Sequence, residues 1–131
     1  MSVRVFKTKW FAALARGERI TDDRLCEAIE RAERGLIDAD LGGGLIKQRV
    51  ARPGQGRRGG YRVIVAYQPH RLALFLYGFA KNERDNIKDN ELASFRDFAA
   101  DWCEKDEVQL QQAIKDDGDE EIHCDQKAEQ N

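Results

Sequence analysis

Long apolar runs are absent from the 131-residue chain, in which no uninterrupted hydrophobic stretch reaches ten residues. A transmembrane helix needs about 20 apolar residues, so the sequence predicts no membrane-spanning segment. The opening Met-Ser-Val-Arg-Val-Phe-Lys also lacks the apolar core of a secretory signal. We therefore expect a cytoplasmic protein, and the length suits one domain rather than two.

Cysteine and histidine are scarce. The three cysteines, Cys26, Cys103 and Cys124, lie far apart, and the two histidines are His70 and His123. No Cys-x-x-Cys pair or Cys/His cluster has zinc-site spacing, so we predict no metal and no cofactor. The odd cysteine count and the wide gaps favour free thiols over a disulfide framework.

Acidic residues are almost missing from the middle of the chain. Residues 47–84 contain nine Lys or Arg and a single acid, whereas residues 85–131 contain five Lys or Arg and fifteen acids. The net charge of −2 hides this asymmetry. A basic segment of this density indicates a site for a polyanion. The alternative is that the acidic end folds over the basic part and neutralises it.

The hydrophobic pattern predicts an α+β domain. Thr8 and Thr21 are placed to cap two N-terminal helices, and Gly35 is placed to end the second. Strands are expected near the start and over 45–50, 61–67 and 72–80, and a long C-terminal helix over about 90–115. Helices on one side of an antiparallel sheet would give a two-layer α+β domain whose other sheet face is open to a ligand.

The domain is expected to span residues 1–115. Residues 116–131 are polar and acidic, with Ile122 as their only strong hydrophobe. Such composition is typical of a flexible tail that does not join the core.

Candidate site residues lie on the central strands. Lys47 and Arg49 are two residues apart in a strand, so their side chains share one face, while Ile46 and Val50 face the other way. Arg62 lies in the next strand. Further cations surround a glycine-rich loop at 53–60 and follow the last central strand; they are Arg52, Arg57, Arg58, Lys81 and Arg84. Guanidinium and ammonium groups at this density suit a phosphate backbone.

Other features of this region have two interpretations each. The glycine-rich loop could hold a phosphate through its N–H groups or be a simple hairpin connection, and it lacks the Walker spacing. The tyrosines between the cations, Tyr61, Tyr67 and Tyr77, could stack on bases, although any one of them is more typical of sheet packing. His70 follows a proline in a turn, which favours a structural role.

Two segments carry a resemblance to a known family. They are Leu45-Ile-Lys-Gln-Arg-Val-Ala-Arg-Pro-Gly-Gln-Gly-Arg-Arg-Gly-Gly-Tyr-Arg-Val-Ile-Val-Ala-Tyr67 and Phe75-Leu-Tyr-Gly-Phe-Ala-Lys-Asn-Glu-Arg-Asp-Asn-Ile87. Over roughly residues 3–115 the chain resembles the RelE/HigB toxin branch of the RelE/ParE superfamily. The Gly-Gly-Tyr-Arg entry into a strand and the Phe-Ala-Lys-x-Glu-Arg-Asp-Asn exit are the most specific parts.

The resemblance implies a RelE-like fold and the toxin of a bacterial type II toxin–antitoxin module. Such a toxin cleaves mRNA on the ribosome, inhibits translation and binds a cognate antitoxin, often a helix-turn-helix protein. It implies catalytic roles for Lys47, Arg62 and Lys81, and RNA-binding roles for Arg49 and Arg84. The position of Arg52, Arg57 and Arg58 in or beside the glycine-rich loop makes them RNA-binding candidates too. No histidine lies in the matched strands, so the identities of the general acid and base stay open.

The residues suit metal-independent RNA cleavage. Attack by the 2′-OH needs a base, stabilisation of the phosphorane charge and protonation of the leaving 5′ oxygen. Lys47 is the leading base candidate, because neighbouring cations favour a neutral lysine. Two alternatives are a ParE-like gyrase-targeting toxin on the same scaffold and a non-catalytic RNA-binding module.

Overall fold

The computed structural model describes residues 3–52, 56–80 and 87–124, with the backbone alone described at residues 52 and 56–59. The strands are β1 (Arg4–Lys7), β2 (Ala39–Gly42), β3 (Leu45–Arg52), β4 (Gly56–Gln68), β5 (Leu72–Ala80) and β6 (Glu120–Ile122). The helices are α1 (Lys9–Glu18), α2 (Asp22–Glu33), α3 (Asp89–Cys103) and α4 (Glu107–Gln112), which continues into a π-helical turn at Ala113–Asp117. Within these ranges, no helix is long and apolar enough to cross a bilayer.

The six strands form one sheet in the order β2-β3-β4-β5-β1-β6. β1 runs parallel to β5, and the other pairings are antiparallel. The longest strands, β3, β4 and β5, pair consecutively at the centre of the sheet. The α+β class and the antiparallel pairing of the central strands, both predicted from the sequence, are confirmed.

Threonine side chains cap the first two helices as predicted. The hydroxyl of Thr8 accepts a hydrogen bond from the N–H of Phe11 at 3.1 Å, and that of Thr21 accepts one from Arg24 at 3.3 Å. These bonds satisfy N–H groups that have no partner within the helix. Gly35 follows α2 with a φ of +84°, a left-handed conformation that favours glycine at a helix end.

α1 and α2 cover one face of the sheet. Their apolar side chains, among them Phe11 and Ile29, pack on Val63 and Phe75 of the central strands. Ile46 and Val50 of β3 also belong to this core, on the face predicted for them. Burial of this apolar surface is the main driving force for folding.

The sequence led us to expect that the opposite face of the sheet is open. Instead, α3 and α4 pack against much of it. Trp102 of α3 and Leu110 of α4 join Ile64, Leu74 and other strand residues in a second core. The reason lies in β5, whose nearly continuous apolar run sends large side chains to both faces. A strand of this kind needs cover on both sides.

The expected long helix over 90–115 is replaced by two shorter ones. Asp106 begins α4 with a capping box, in which its carboxylate accepts from the N–H of Gln109 at 2.8 Å and the Gln109 side chain accepts from Asp106 N at 2.9 Å. Arg71 binds the carbonyl groups of Cys103 and Lys105, where α3 ends. Local capping thus breaks a helix that its hydrophobic spacing alone predicts as continuous.

The start of the expected tail belongs to the domain instead. β6 pairs antiparallel with β1, and Ile122 is buried in the first core. The acidic residues of this segment meet basic residues of β1, since Glu121 pairs with Arg4 at 3.0 Å and Glu120 lies 4.0 Å from Lys7. The domain boundary predicted at residue 115 therefore falls too early, and residues 125–131 lie outside the described part of the chain.

A disulfide bond joins Cys26 of α2 to Cys124, just after β6. This corrects the expectation of free thiols, because a pairing of cysteines 98 residues apart has no signature in local spacing. Cys103 remains a buried free thiol. The disulfide fastens the last described residues to the helical layer on the first face.

Gln48 is a fully buried amide between β3 and α2. Its side-chain nitrogen donates to the carbonyl groups of Ala28 (3.0 Å) and Leu36 (3.2 Å), and its oxygen accepts from Asp38 N at 2.7 Å. Buried polar groups that lose a partner cost about 1–3 kcal/mol. We expect Gln48→Leu to lower the free energy of unfolding by about 2 kcal/mol in urea titrations. The exposed Gln111→Leu is the control, and equal stability of both variants would contradict this role of Gln48.

Glu33 at the end of α2 holds the turn between β4 and β5. Its carboxylate accepts from the hydroxyl of Tyr67 and from His70 N at 2.9 Å, and His70 Nδ1 lies 3.1 Å from it. Burial raises the pKa of Glu33, but the hydrogen bonds from Tyr67 and His70 lower it by a larger amount. The net pKa is therefore below its usual value. His70 thus helps to hold the turn, and its φ of +63° is part of the turn's conformation.

The lowered pKa of Glu33 predicts a pH dependence of stability. Its carboxylate stabilises the folded state above the unfolded pKa of about 4.3, and this contribution is lost as the pH falls through the lower folded pKa. We expect Glu33→Gln to be less stable than the parent at neutral pH and to lose less stability on acidification. Urea unfolding at a series of pH values measures this, and parallel acid profiles for the two proteins would refute it.

Candidate nucleic-acid interface

The register of the central strands brings three of the predicted cations together. In β3 and β4, Lys47 lies opposite Ile64 and Arg49 lies opposite Arg62. Directly opposed residues of antiparallel strands point to the same side, and alternate residues of one strand do so too. Lys47, Arg49 and Arg62 therefore share one face of the sheet, and we refer to these three residues as the basic patch.

The three side chains differ in exposure. Arg49 is exposed and Lys47 is half-buried, whereas Arg62 is only 8% exposed. The Arg62 guanidinium donates to the carbonyl of Gly60 at 3.4 Å, and both Lys47 and Arg62 have further interaction partners. The patch thus combines an accessible cation with a guanidinium whose orientation is set by its surroundings.

Arg49 and Arg62 are direct cross-strand neighbours of like charge. Such pairs oppose strand pairing, by a fraction of a kcal/mol to about 1 kcal/mol relative to neutral pairs. Lys47 adds a third positive charge two residues along the same strand. Positive charge gathered in this way on neighbouring strands is the arrangement that a bound anion would stabilise.

Arg31 and Asp38 support the patch from the edge of β3. The Asp38 carboxylate accepts from the N–H of Arg49 at 2.7 Å and pairs with Arg31 at 3.1 Å, and Arg31 also donates to the carbonyl of Arg49. Burial raises the pKa of Asp38, but the hydrogen bonds and positive charges of Arg49 and Arg31 lower it by a larger amount. The net pKa is therefore below its usual value. Sequence reasoning missed this pair, because the two residues lie outside the predicted strands.

Aromatic rings continue the patch toward α3. Tyr77 lies opposite Ile64 and therefore on the same face as Lys47. Its ring stacks on Phe95 of α3 at 5.8 Å and lies 6.1 Å from Phe79, the cross-strand partner of Arg62. Of the three tyrosines that the sequence singled out, Tyr77 alone shares this face; Tyr61 and Tyr67 are buried in the first core.

The remaining predicted cations are not all placed. Lys81 and Arg84 lie outside the described residues. Arg52 ends β3, and Arg57 and Arg58 lie in β4, whose described part begins at Gly56; their side chains are not described. The strand pairing of Arg52 with Gly56 shows that the expected loop at 53–60 is shorter than predicted.

The acidic segment does not cover the patch in the described part of the chain. β6 is at one edge of the sheet, and β4, β5 and β1 lie between it and β3. Its carboxylates pair with Arg4, Lys7 and Arg16 instead. The alternative in which the acidic end neutralises the basic face is therefore wrong for residues 116–124.

The fold and the patch define a small α+β protein with three cationic side chains on one face of its central strands. Over residues 3–122 the chain matches the family described as the RelE toxin of the RelE / RelB toxin-antitoxin system. The match covers nearly the whole chain, and the chain belongs to this family, which confirms the resemblance. A toxin role and an antitoxin partner follow from the family. The curated proteins contain no significant match.

Proposed function

We propose that this toxin is a bacterial, HigB-like mRNA endonuclease that cuts mRNA on the ribosome and thereby stops translation in the cytoplasm. The observation that carries the proposal is the opposed pair Arg49 and Arg62, with Lys47 beside them on one sheet face. Cations gathered on one sheet face suit a phosphate backbone, and phosphate contacts provide a large share of the affinity of proteins for nucleic acids. Its partner outside the ribosome would be a helix-turn-helix antitoxin.

The cleavage step needs no cofactor. In our proposal Lys47 accepts the proton of the 2′-OH as O2′ bonds to phosphorus. The bond from phosphorus to O5′ then breaks, and O5′ takes a proton from a general acid that is still to be assigned. The products are a 2′,3′-cyclic phosphate and a 5′-OH end.

The other cations would stabilise the negative charge that develops on the phosphate and would hold the RNA backbone. Arg62 and Lys81 would stabilise the phosphorane, while Arg49 and Arg84 position the backbone and Arg52, Arg57 and Arg58 extend the contact. Guanidinium groups suit these roles because they bind phosphate oxygens through two parallel N–H bonds. A fixed guanidinium such as that of Arg62 also costs little reorganisation during the reaction.

Inducible expression in a bacterial host tests the proposal. We expect growth arrest, reduced amino-acid incorporation and new 5′ ends within translated mRNA, mapped by primer extension. A DNA-damage response without mRNA cuts would instead identify a gyrase-targeting toxin. Ribosome binding without cut ends would identify a non-catalytic RNA-binding module, and either result would overturn the endonuclease proposal.

A further inference from the structure

A cavity elsewhere on the molecule shares no lining residue with the basic patch. A cavity of about 350 Å³ opens between the start of α1, the end of α3 and the π-helical turn that precedes β6. Trp10, Phe98 and Trp102 form its aromatic walls. The proposed cleavage chemistry uses none of these residues.

The cavity is an anionic one. Four aspartates line it, Asp101, Asp116, Asp117 and Asp119, against two lysines. Asp119 is only 6% exposed, and the hydrogen-bond donor that it has among the described residues is the indole N–H of Trp102 at 3.3 Å. Burial raises the pKa of Asp119, the expected behaviour of a carboxylate that lacks sufficient positive partners.

Two of the three aromatic side chains of the cavity are unusually exposed. Trp10 is 65% exposed and Phe98 is 41% exposed, although large aromatic side chains usually find apolar cover. The ammonium group of Lys9 already lies over the Trp10 ring, 5.3 Å from its centroid. This contact shows that the ring face accepts a cation in the field of the surrounding aspartates.

We infer that this cavity is a docking site for a segment of a partner protein that carries an arginine or lysine beside an apolar residue. The cation would enter between the aspartates and the Trp10 ring, and the apolar neighbour would cover Phe98. Charge complementarity favours this occupant over RNA, whose phosphates the aspartates would repel. Tryptophan is also one of the residue types that are enriched at binding hot spots.

A metal ion is a less suitable occupant. Within the described ranges, no group of three or more His, Cys, Asp or Glu side chains is arranged to hold one. The inference does not rest on the endonuclease proposal, because it concerns a different surface and a different kind of ligand.

The chain carries its own reporter for the test. Its two tryptophans both line the cavity, so intrinsic fluorescence of the intact protein follows occupancy. The probe is an acetylated and amidated peptide of alternating leucine and arginine, compared with the same peptide carrying glutamate in place of arginine. We expect saturable binding of the arginine peptide, weakened by added salt, and no binding of the glutamate peptide.

Matched variants locate the binding. Trp10→Ala and the double change Asp116→Asn with Asp117→Asn alter exposed residues, and each is expected to weaken peptide binding about tenfold. Asp97→Asn removes an exposed acid of α3 that does not line the cavity and should leave binding unchanged. Equal binding by all variants, or displacement of the peptide by a short RNA, would overturn the inference.

Discussion

Replacing Lys47 with alanine is expected to reduce the rate of mRNA cleavage by about 10²–10⁴-fold, because it would remove the proposed general base. The same change should abolish growth arrest on induction. Lys47 is half-buried at the centre of β3, so thermal unfolding of the variant must first show an intact fold. Cleavage rates on ribosomes programmed with one mRNA then give the effect directly.

Two substitutions of Arg62 are expected to lower the cleavage rate by different amounts. Arg62→Ala removes the guanidinium and should cost about 10²–10³-fold in rate, whereas Arg62→Lys keeps a charge and should recover part of it. Arg24→Ala is the matched control, because Arg24 is an exposed cation of α2, which covers the other sheet face. Parental activity in both Lys47→Ala and Arg62→Ala would remove the proposed roles.

Loss of the disulfide is expected to produce the largest change in stability. Cross-linking residues 98 positions apart restricts the unfolded chain, which typically stabilises a protein by about 2–4 kcal/mol. Cys124→Ser should lower the free energy of unfolding by about this amount, and reducing agent should do the same to the parent protein.

Two comparisons make the disulfide prediction specific. Reducing agent should leave the stability of Cys124→Ser unchanged, because the bond is already absent. Cys103→Ala retains the disulfide and should respond to reduction as the parent does. A parent protein with the same stability before and after reduction would show that the bond does not support the fold.

The side-chain alternation of β3 made one half of the site predictable. Lys47 and Arg49 alternate with Ile46, Gln48 and Val50, and period-two alternation fixes the face of each residue whatever the rest of the chain does. The structure places Ile46 and Val50 in the first core as expected. The opposition of Arg49 and Arg62 needed the strand register, which local sequence does not contain.

Long-range features were the ones that the sequence could not provide. The pairing of β6 with β1 and the disulfide of Cys124 join segments about a hundred residues apart, and composition alone predicts a loose tail there. The cover of the second face was also missed, because a continuous apolar strand does not tell which helix will cover it. The break between α3 and α4 depended on the capping box at Asp106, a signal that was in the sequence and was overlooked.

Cleavage of a defined mRNA on purified ribosomes tests the central claim most directly. With the parent protein, we predict cuts within the codon held in the decoding site, few cuts in the same mRNA without ribosomes, and a loss of cutting with Lys47→Ala. Parental cutting by a folded variant that lacks both Lys47 and Arg62 would contradict the claim that the basic patch is the site of RNA cleavage.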